Sequence, residues 1–176
     1  EAKPVSFLED CAVELKDLAE YTDKLTAIFD RNGVKGTWYA HASVGCLHVR
    51  PVLNMKQAGG AETMRAIAEE AFELVRSFGG SHSGEHGDGI VRSEFNDRMF
   101  GPVLPDLFRQ VKAMFDPQGM FNPGKITDAP KMDDRELFRF APGYEVEDFD
   151  SVLDWAAWPG AAGGFQGAVE MCNNNG

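Results

Sequence analysis

The sequence has no apolar run approaching the ~20 residues that a membrane-crossing helix needs. Its opening, Glu1-Ala-Lys-Pro4, lacks the basic and then apolar shape of a signal peptide. Cysteines are few: Cys11, Cys46 and Cys172, an odd set that gives no disulfide framework and fits a reducing, cytoplasmic compartment. Bases are outnumbered, with 17 Lys and Arg against 28 Asp and Glu and a net charge of −11. A chain so acidic does not track phosphate backbones, which excludes nucleic acid as a partner. Histidine is also scarce, and all four, His41, His48, His82 and His86, fall in two short stretches. No leading Met is present, so the first residue reads as a boundary within a longer protein.

What is there is ordinary globular material: 176 residues, 43% hydrophobic and 26% charged, enough for one domain. Pro4–Glu9 alternates Val5 and Phe7 with Ser6 and reads as a short strand. Residues 14–32 repeat Leu15, Leu18, Leu25, Ile28 and Phe29 at helical spacing, stopped by Asn32-Gly33. Two strands follow at about 36–42 and 46–53. After a break at Gly59-Gly60, Met64, Ile67, Ala68, Ala71, Leu74, Val75 and Phe78 form one apolar stripe. A further helix spans about 102–115, with Leu104, Leu107, Phe108, Val111 and Met114 on one face, before turns at Asp116-Pro117 and Asn122-Pro123-Gly124. From about 128 the periodicity fades, acidic residues and prolines recur, and Gly160–Gly164 looks like a linker. The expected fold class is α+β: a small antiparallel sheet covered by helices over residues 1–130, then an irregular extension over 131–176.

A two-residue turn at Val44-Gly45 would pair Ser43 with Cys46 and set His41 opposite His48 and Tyr39 opposite Arg50. Period-two alternation puts Tyr39, His41, Ser43, Cys46, His48 and Arg50 on one face, with Trp38, Ala40, Ala42, Leu47, Val49 and Pro51 on the other. Opposed β-carbons lie roughly 4.5–5.5 Å apart, so two imidazoles can converge on one metal ion. Pro51 lacks an N–H and suggests an open strand edge. Two histidines on a half-solvated sheet face are also common without any metal.

Residues 79–89, GGSHSGEHGDG, hold five glycines, too many for a helix or strand. The order Gly84-x-x-Gly87-x-Gly89, following a helix, does not match a dinucleotide fingerprint. In such a loop adjacent Glu85 and His86 can reach one pocket, the carboxylate as a metal ligand and the imidazole as a free base. A mobile surface loop with incidental polar residues is the bland reading. Arg50, Arg65, Arg76, Arg92 and Arg98 cluster in the middle of the chain, where they could make a locally positive pocket for an anionic substrate.

The stretches YAHASVGCLHVRP (39–51), GGSHSGEHGDG (79–89) and FDPQGMFNPGKI (115–126) together resemble the C-terminal, or cap, domain of FAD-linked oxidases. The resemblance is to the D-lactate, glycolate and D-2-hydroxyglutarate dehydrogenase branch of the vanillyl-alcohol-oxidase superfamily, over about residues 4–128. It implies a cap sheet over a flavin held by a separate FAD-binding domain. It implies metal ligation by His41, His48 and Glu85, a base at His86, and Asn122 in a segment that returns to the flavin domain. Relatives carry Gly-Asp-Gly-Asn between the two histidines, the Asn touching substrate. Here Ser43-Val44-Gly45-Cys46 stands there, and Cys46 cannot offer the same amide hydrogen bonds. Residues 171–176, with Cys172, resemble the lead-in to a fused ferredoxin-like iron–sulfur domain.

The implied activity is oxidation of a small 2-hydroxy carboxylate, with hydride passing to FAD and electrons leaving to a downstream acceptor. Zinc, manganese and iron all suit two His and a Glu. Arg50 is the candidate clamp for the substrate carboxylate. The implied location is cytoplasmic, or peripheral at the inner face of the membrane. A metal-dependent hydrolase and a non-catalytic cap module are the rival readings.

Overall fold

The computed structural model describes residues 2–139, 141, 144, 151–155 and 164–169. Residues 160–163 and the 171–176 lead-in with Cys172 lie outside the described residues. The fold is α+β. Strands β1 (Lys3–Pro4), β2 (Cys11–Ala12), β3 (Gly36–His41) and β4 (Cys46–Leu53) form a small antiparallel sheet around β4. β1 and β2 pair with opposite ends of β4, while β3 pairs along it.

The expected strand over Pro4–Glu9 is interrupted. Only Pro4 lies in β1, and residues 7–10 turn away before β2 begins. The interruption puts Phe7 and Leu8 into the core and leaves Asp10 with φ of 105°. Pro51 stands where the ladder to β1 stops at Val52 and the ladder to β2 has not resumed at Leu47. It is buried, Val5 N–H donates to its carbonyl at 2.9 Å, and Gly36 is its partner in β3. Its missing N–H falls in the gap between β1 and β2, where no strand of the ladder asks for it.

Helix α1 (Leu18–Arg31) buries Tyr21, Leu25, Ile28 and Phe29; α2 (Ala58–Ser77) buries Met64, Ile67, Ala68, Ala71, Phe72 and Val75. Both pack with Leu47 and Val49 of β4 in one core. Full burial of each such large side chain contributes roughly 1.5–3 kcal/mol. The two helices end alike: Val34 N–H donates to Phe29 and Gly33 to Asp30, and Gly80 donates to Val75 and Gly79 to Arg76. These are Schellman closures. The expected break at Gly59-Gly60 is absent, because both residues lie in the first turn of α2. A Cβ at Gly60 would come within 2.2 Å of the Asn54 carbonyl oxygen, so the glycine serves close packing of the helix start on its lead-in.

Two short helices, α3 (Gly89–Ser93) and α4 (Asn96–Phe100), follow the glycine-rich loop, and α5 (Val103–Phe115) follows them. The apolar side of α5 is not core: Leu104, Leu107, Val111 and Met114 are exposed. Beyond it Met132 is buried, its N–H held by Glu94, and Arg135 donates to the Met55 carbonyl at 3.2 Å. A last short helix, α6, covers Gly164–Val169.

Candidate metal and proton-transfer site

The hairpin β3–β4 carries half of the site, in a register different from the expected one. Ala42–Val44 make a 3-10 turn and Gly45 adopts φ of 70°, so His41 pairs with Cys46 and Tyr39 with His48. The reason lies outside the hairpin. Val13 N–H donates to the Gly45 carbonyl at 3.0 Å, and a Cβ on Gly45 would come within 2.0 Å of the Val13 oxygen. The segment after β2 therefore claims Gly45 and forces a four-residue connection. A slip of two residues preserves the faces, so Tyr39, His41, Cys46, His48 and Arg50 still share one side.

The loop brings the other half, and residues 10–12 hold it. Ser81 and Ala12 exchange main-chain hydrogen bonds at 2.9 Å, and Gly84 N–H donates to the Asp10 carbonyl at 2.7 Å. The Asp10 carboxylate is fully buried and accepts the main-chain N–H of Glu85 and of His86, each at 2.8 Å. Ser83 Oγ donates to it at 3.4 Å and Arg92 pairs with it at 3.8 Å. Burial works to raise the Asp10 pKa, but the two N–H donors and the Arg92 charge outweigh it and hold the carboxyl below its usual range. Gly84 is needed for this approach: a Cβ there would lie 3.0 Å from the Asp10 oxygen and 3.2 Å from Cys46 Sγ.

The functional side chains then meet. Nε2 of His41 lies 3.0 Å from Glu85 Oε1, and Nε2 of His48 lies 3.1 Å from the same oxygen. His86 stacks on His48 with ring centroids 4.7 Å apart and planes 14° apart, its Nε2 3.6 Å from Glu85 Oε1. The histidines differ in burial: His48 is 1% exposed, whereas the His41 side chain is 57% exposed. His48 Nδ1 is buried without a hydrogen-bond partner.

Two imidazoles and a carboxylate are the donor types a divalent ion takes, and Glu85 Oε1 stands within 3.1 Å of both His41 Nε2 and His48 Nε2. Two neighbouring groups share members of this set. Donor atoms of Asp10, Cys46, His48 and Glu85 lie within 4.8 Å of one another, and so do those of Glu9, His48 and His86.

Arg50 and Cys46 sit at the site but are engaged. Glu9 accepts Arg50 Nε at 2.5 Å and Nη2 at 3.1 Å, and Arg50 Nη2 also donates to the Tyr39 hydroxyl at 2.7 Å. Arg50 holds the Glu9 carboxyl below its usual range against the opposing effect of burial. Cys46 is 5% exposed, with Sγ 3.6 Å from Asp10 Oδ1; burial first, then Asp10, pushes its thiol up to about 11. The positive pocket expected from the central arginines is not free charge. Arg65 pairs with Glu69, Glu94 and Asp133, Arg98 with Glu69 and Glu73, and Arg76 with Glu73.

Asn122 is not brought to the histidines. It takes φ of 46° on an exposed corner, where its Oδ1 accepts Lys125 Nζ at 3.4 Å.

His82 faces elsewhere. It is buried against Phe72, its Nε2 3.6 Å from Asp88 Oδ1, and burial lowers its pKa. Glu9 and Asp10 are the members of the site that sequence reasoning missed. Their adjacency in Phe-Leu-Glu-Asp was visible, but Glu9 closed a segment read as strand and Asp10 lay just beyond it.

The chain matches the family described as FAD linked oxidases, C-terminal domain, over residues 1–126. It is 38% identical over 125 residues to the D-2-hydroxyglutarate dehydrogenase of Haemophilus influenzae, covering 71% of this chain and 12% of that protein. It is 36% identical over 177 residues to that of Pseudomonas putida, covering 100% of this chain and 17% of that protein. The D-lactate dehydrogenase of Archaeoglobus fulgidus is 32% identical over 124 residues, covering 70% of this chain and 27% of that protein. The chain thus spans well under a third of each of these relatives. With two of the three motifs assembled on one sheet face and its covering loop, the chain belongs to the FAD linked oxidases and represents their C-terminal domain.

Proposed function

We propose that this chain is the substrate- and metal-binding part of a flavin-dependent dehydrogenase that oxidises a D-2-hydroxy acid. The observation that carries the reading is the convergence of His41 and His48 on one oxygen of Glu85, with His86 stacked alongside. Relatives named for D-2-hydroxyglutarate and D-lactate support the substrate class.

A divalent ion held by His41, His48 and Glu85 would polarise the substrate hydroxyl. An oxidised flavin, held by a part of the protein outside this chain, would accept hydride from the adjacent carbon. His86 takes the hydroxyl proton at Nε2. Its stacking on His48 and its main-chain bond to Asp10 fix that nitrogen on the Glu85 side. Asp10 holds the metal carboxylate and the base on one rigid piece of main chain, so the distance between them does not drift. Arg50 reaches a substrate carboxylate only by sharing its guanidinium with Glu9. Cys46, protonated and buried, lines the floor of the site. Electrons leave to an acceptor downstream, for which the 171–176 lead-in suggests an iron–sulfur domain. Among the described residues no helix is long and apolar enough to cross a membrane, and we place the parent protein in the cytoplasm or peripherally at the membrane's inner face.

The test is metal content and flavin reduction in the full-length protein. Near-stoichiometric divalent metal, lost in the His41→Ala, His48→Ala double variant, is expected. So is bleaching of the flavin by D-2-hydroxyglutarate or D-lactate that His86→Ala slows by roughly 10²–10⁴-fold. Metal-dependent ester hydrolysis without flavin reduction would replace this reading with a hydrolase.

A further inference from the structure

The loop that carries Glu85 and His86 is drawn together at its neck by the residues that bound it. His82 enters the loop and Asp88 leaves it, and His82 Nε2 lies 3.6 Å from Asp88 Oδ1. The His82 side chain is 5% exposed, and neither ring nitrogen completes a hydrogen bond. The ring rests instead edge-on to Phe72 of α2 and beside Phe100 of α4. On the exit side Gly87 and Gly89 flank Asp88 with φ of 77° and 56°, and a Cβ on either would meet nothing within 4 Å. The neck is therefore packed where the loop enters and unobstructed where it leaves.

Two charged groups face the His82 ring: Asp88 from the loop exit and Arg92 from α3. The Asp88 carboxylate is shared, because its Oδ2 also accepts Asn96 Nδ2 of α4 at 3.1 Å. Arg92 is fixed in place, since it donates to the Glu9 and Gly87 carbonyls and pairs with Asp10. From α2 the ring meets only Phe72, over which Arg98 lies. An imidazolium in this seat would be buried beside a guanidinium that cannot move away. Burial and Arg92 outweigh the pull of Asp88, and the His82 pKa is held below 6.5.

We propose that His82 and Asp88 form a pH-sensitive latch at the neck of this loop: neutral His82 stays packed and the loop is shut, whereas protonated His82 leaves its seat for water and the neck opens. Neutral His82 gives its full hold above pH 6.5, and the hold is lost as pH falls through the lowered value. The sheet and helices beneath are held by the apolar packing of Val49, Ile67 and Val75, which carries no titrating group, so the loop opens before the core does. Acid thereby loosens Glu85 and His86 together, since both lie between the two halves of the latch. The latch does not depend on which chemistry those two residues perform.

The experiment is amide hydrogen exchange in the full-length holoenzyme, from about pH 7.5 to about pH 5.5, corrected for the intrinsic pH dependence of exchange. The reporters are the N–H groups of Gly84, Glu85 and His86, all bonded to Asp10, and the amides of β4 are the control. Asp10, lowered from 3.8, stays ionised across that range. His82→Phe keeps the packing on Phe72 but takes no proton, and His82→Gln is the second neutral variant should His82→Phe fail to fold. The other three histidines titrate alike in every protein, so the difference between profiles belongs to His82. Wild-type reporters are expected to lose up to about tenfold more protection per pH unit below 6.5 than those of the variants. Equal losses in wild type and variant overturn the latch. Reporters and β4 amides exchanging at one common rate throughout also overturn it, because only global unfolding would then expose the loop. The readout is exchange and not turnover, so failure of the metal or hydride-transfer reading leaves the test standing.

Discussion

The carboxylate of Asp10 accepts the main-chain N–H of His86 at 2.8 Å across 76 residues of sequence, from a residue whose own φ is 105°. That bond, with its twin to Glu85, turns a glycine-rich loop into a fixed part of the site. Several expectations rest on it and on its neighbours.

Asp10→Ala removes the acceptor of two main-chain donors and one of the partners of Arg92. A loss of roughly 1–3 kcal/mol is expected from the unmade hydrogen bonds. Asp10→Gly makes the same deletion but tolerates the positive φ, so it should be the milder variant by about 1 kcal/mol. Urea denaturation of the two side by side checks this. Equal midpoints would mean that the backbone at Asp10 carries no strain.

His41→Ala and His48→Ala should separate metal binding from folding. His41 is exposed, so its loss should abolish metal retention yet leave stability within about 0.5 kcal/mol. His48 is buried in the sheet, and His48→Ala should lose metal and also about 2–4 kcal/mol. Metal analysis and thermal melts of chelated protein give both numbers.

Gly45→Ala should be far worse than Gly33→Ala. Both positions have positive φ, but a Cβ at Gly33 meets nothing within 4 Å, whereas one at Gly45 runs into the Val13 carbonyl. About 1 kcal/mol is expected at Gly33. At Gly45 the hairpin connection must shift as well, and soluble yield should fall sharply.

Acid should destabilise the protein in two stages. Burial lowers the His82 pKa from its ordinary 6.5, so the unfolded chain binds that proton first. Stability contributed by neutral His82 is present above pH 6.5 and is lost as pH falls towards the lowered folded value. Glu9 and Asp10, both lowered from 4.5 and 3.8, add a second loss below those values. His82→Phe, which keeps the packing against Phe72, should flatten the first stage and leave the second. An unchanged slope just below pH 6.5 would sink the assignment.

Much of this was legible along the chain. The apolar stripes of α1 and α2 appear at 3.6-residue spacing because each helix buries one side. The face shared by Tyr39, His41, Cys46, His48 and Arg50 survived a wrong turn, since alternation depends only on parity. Less legible were features that depend on distant partners. The four-residue connection at 42–45 follows from Val13, the placement of α5's apolar side cannot be read from its periodicity, and the engagement of Arg50 follows from Glu9.

The sequence by itself determined which residue types could do chemistry and on which strand face or loop they lie, because period and glycine content are local properties. The tertiary structure alone decided that they meet. Residues 7–10 turn away where a strand was expected, and the main chain and carboxylates of residues 9–12 grip both the hairpin and the loop. Such a bond joins residues that carry no mutual signal in sequence, and only the packed core brings their atoms within hydrogen-bond distance.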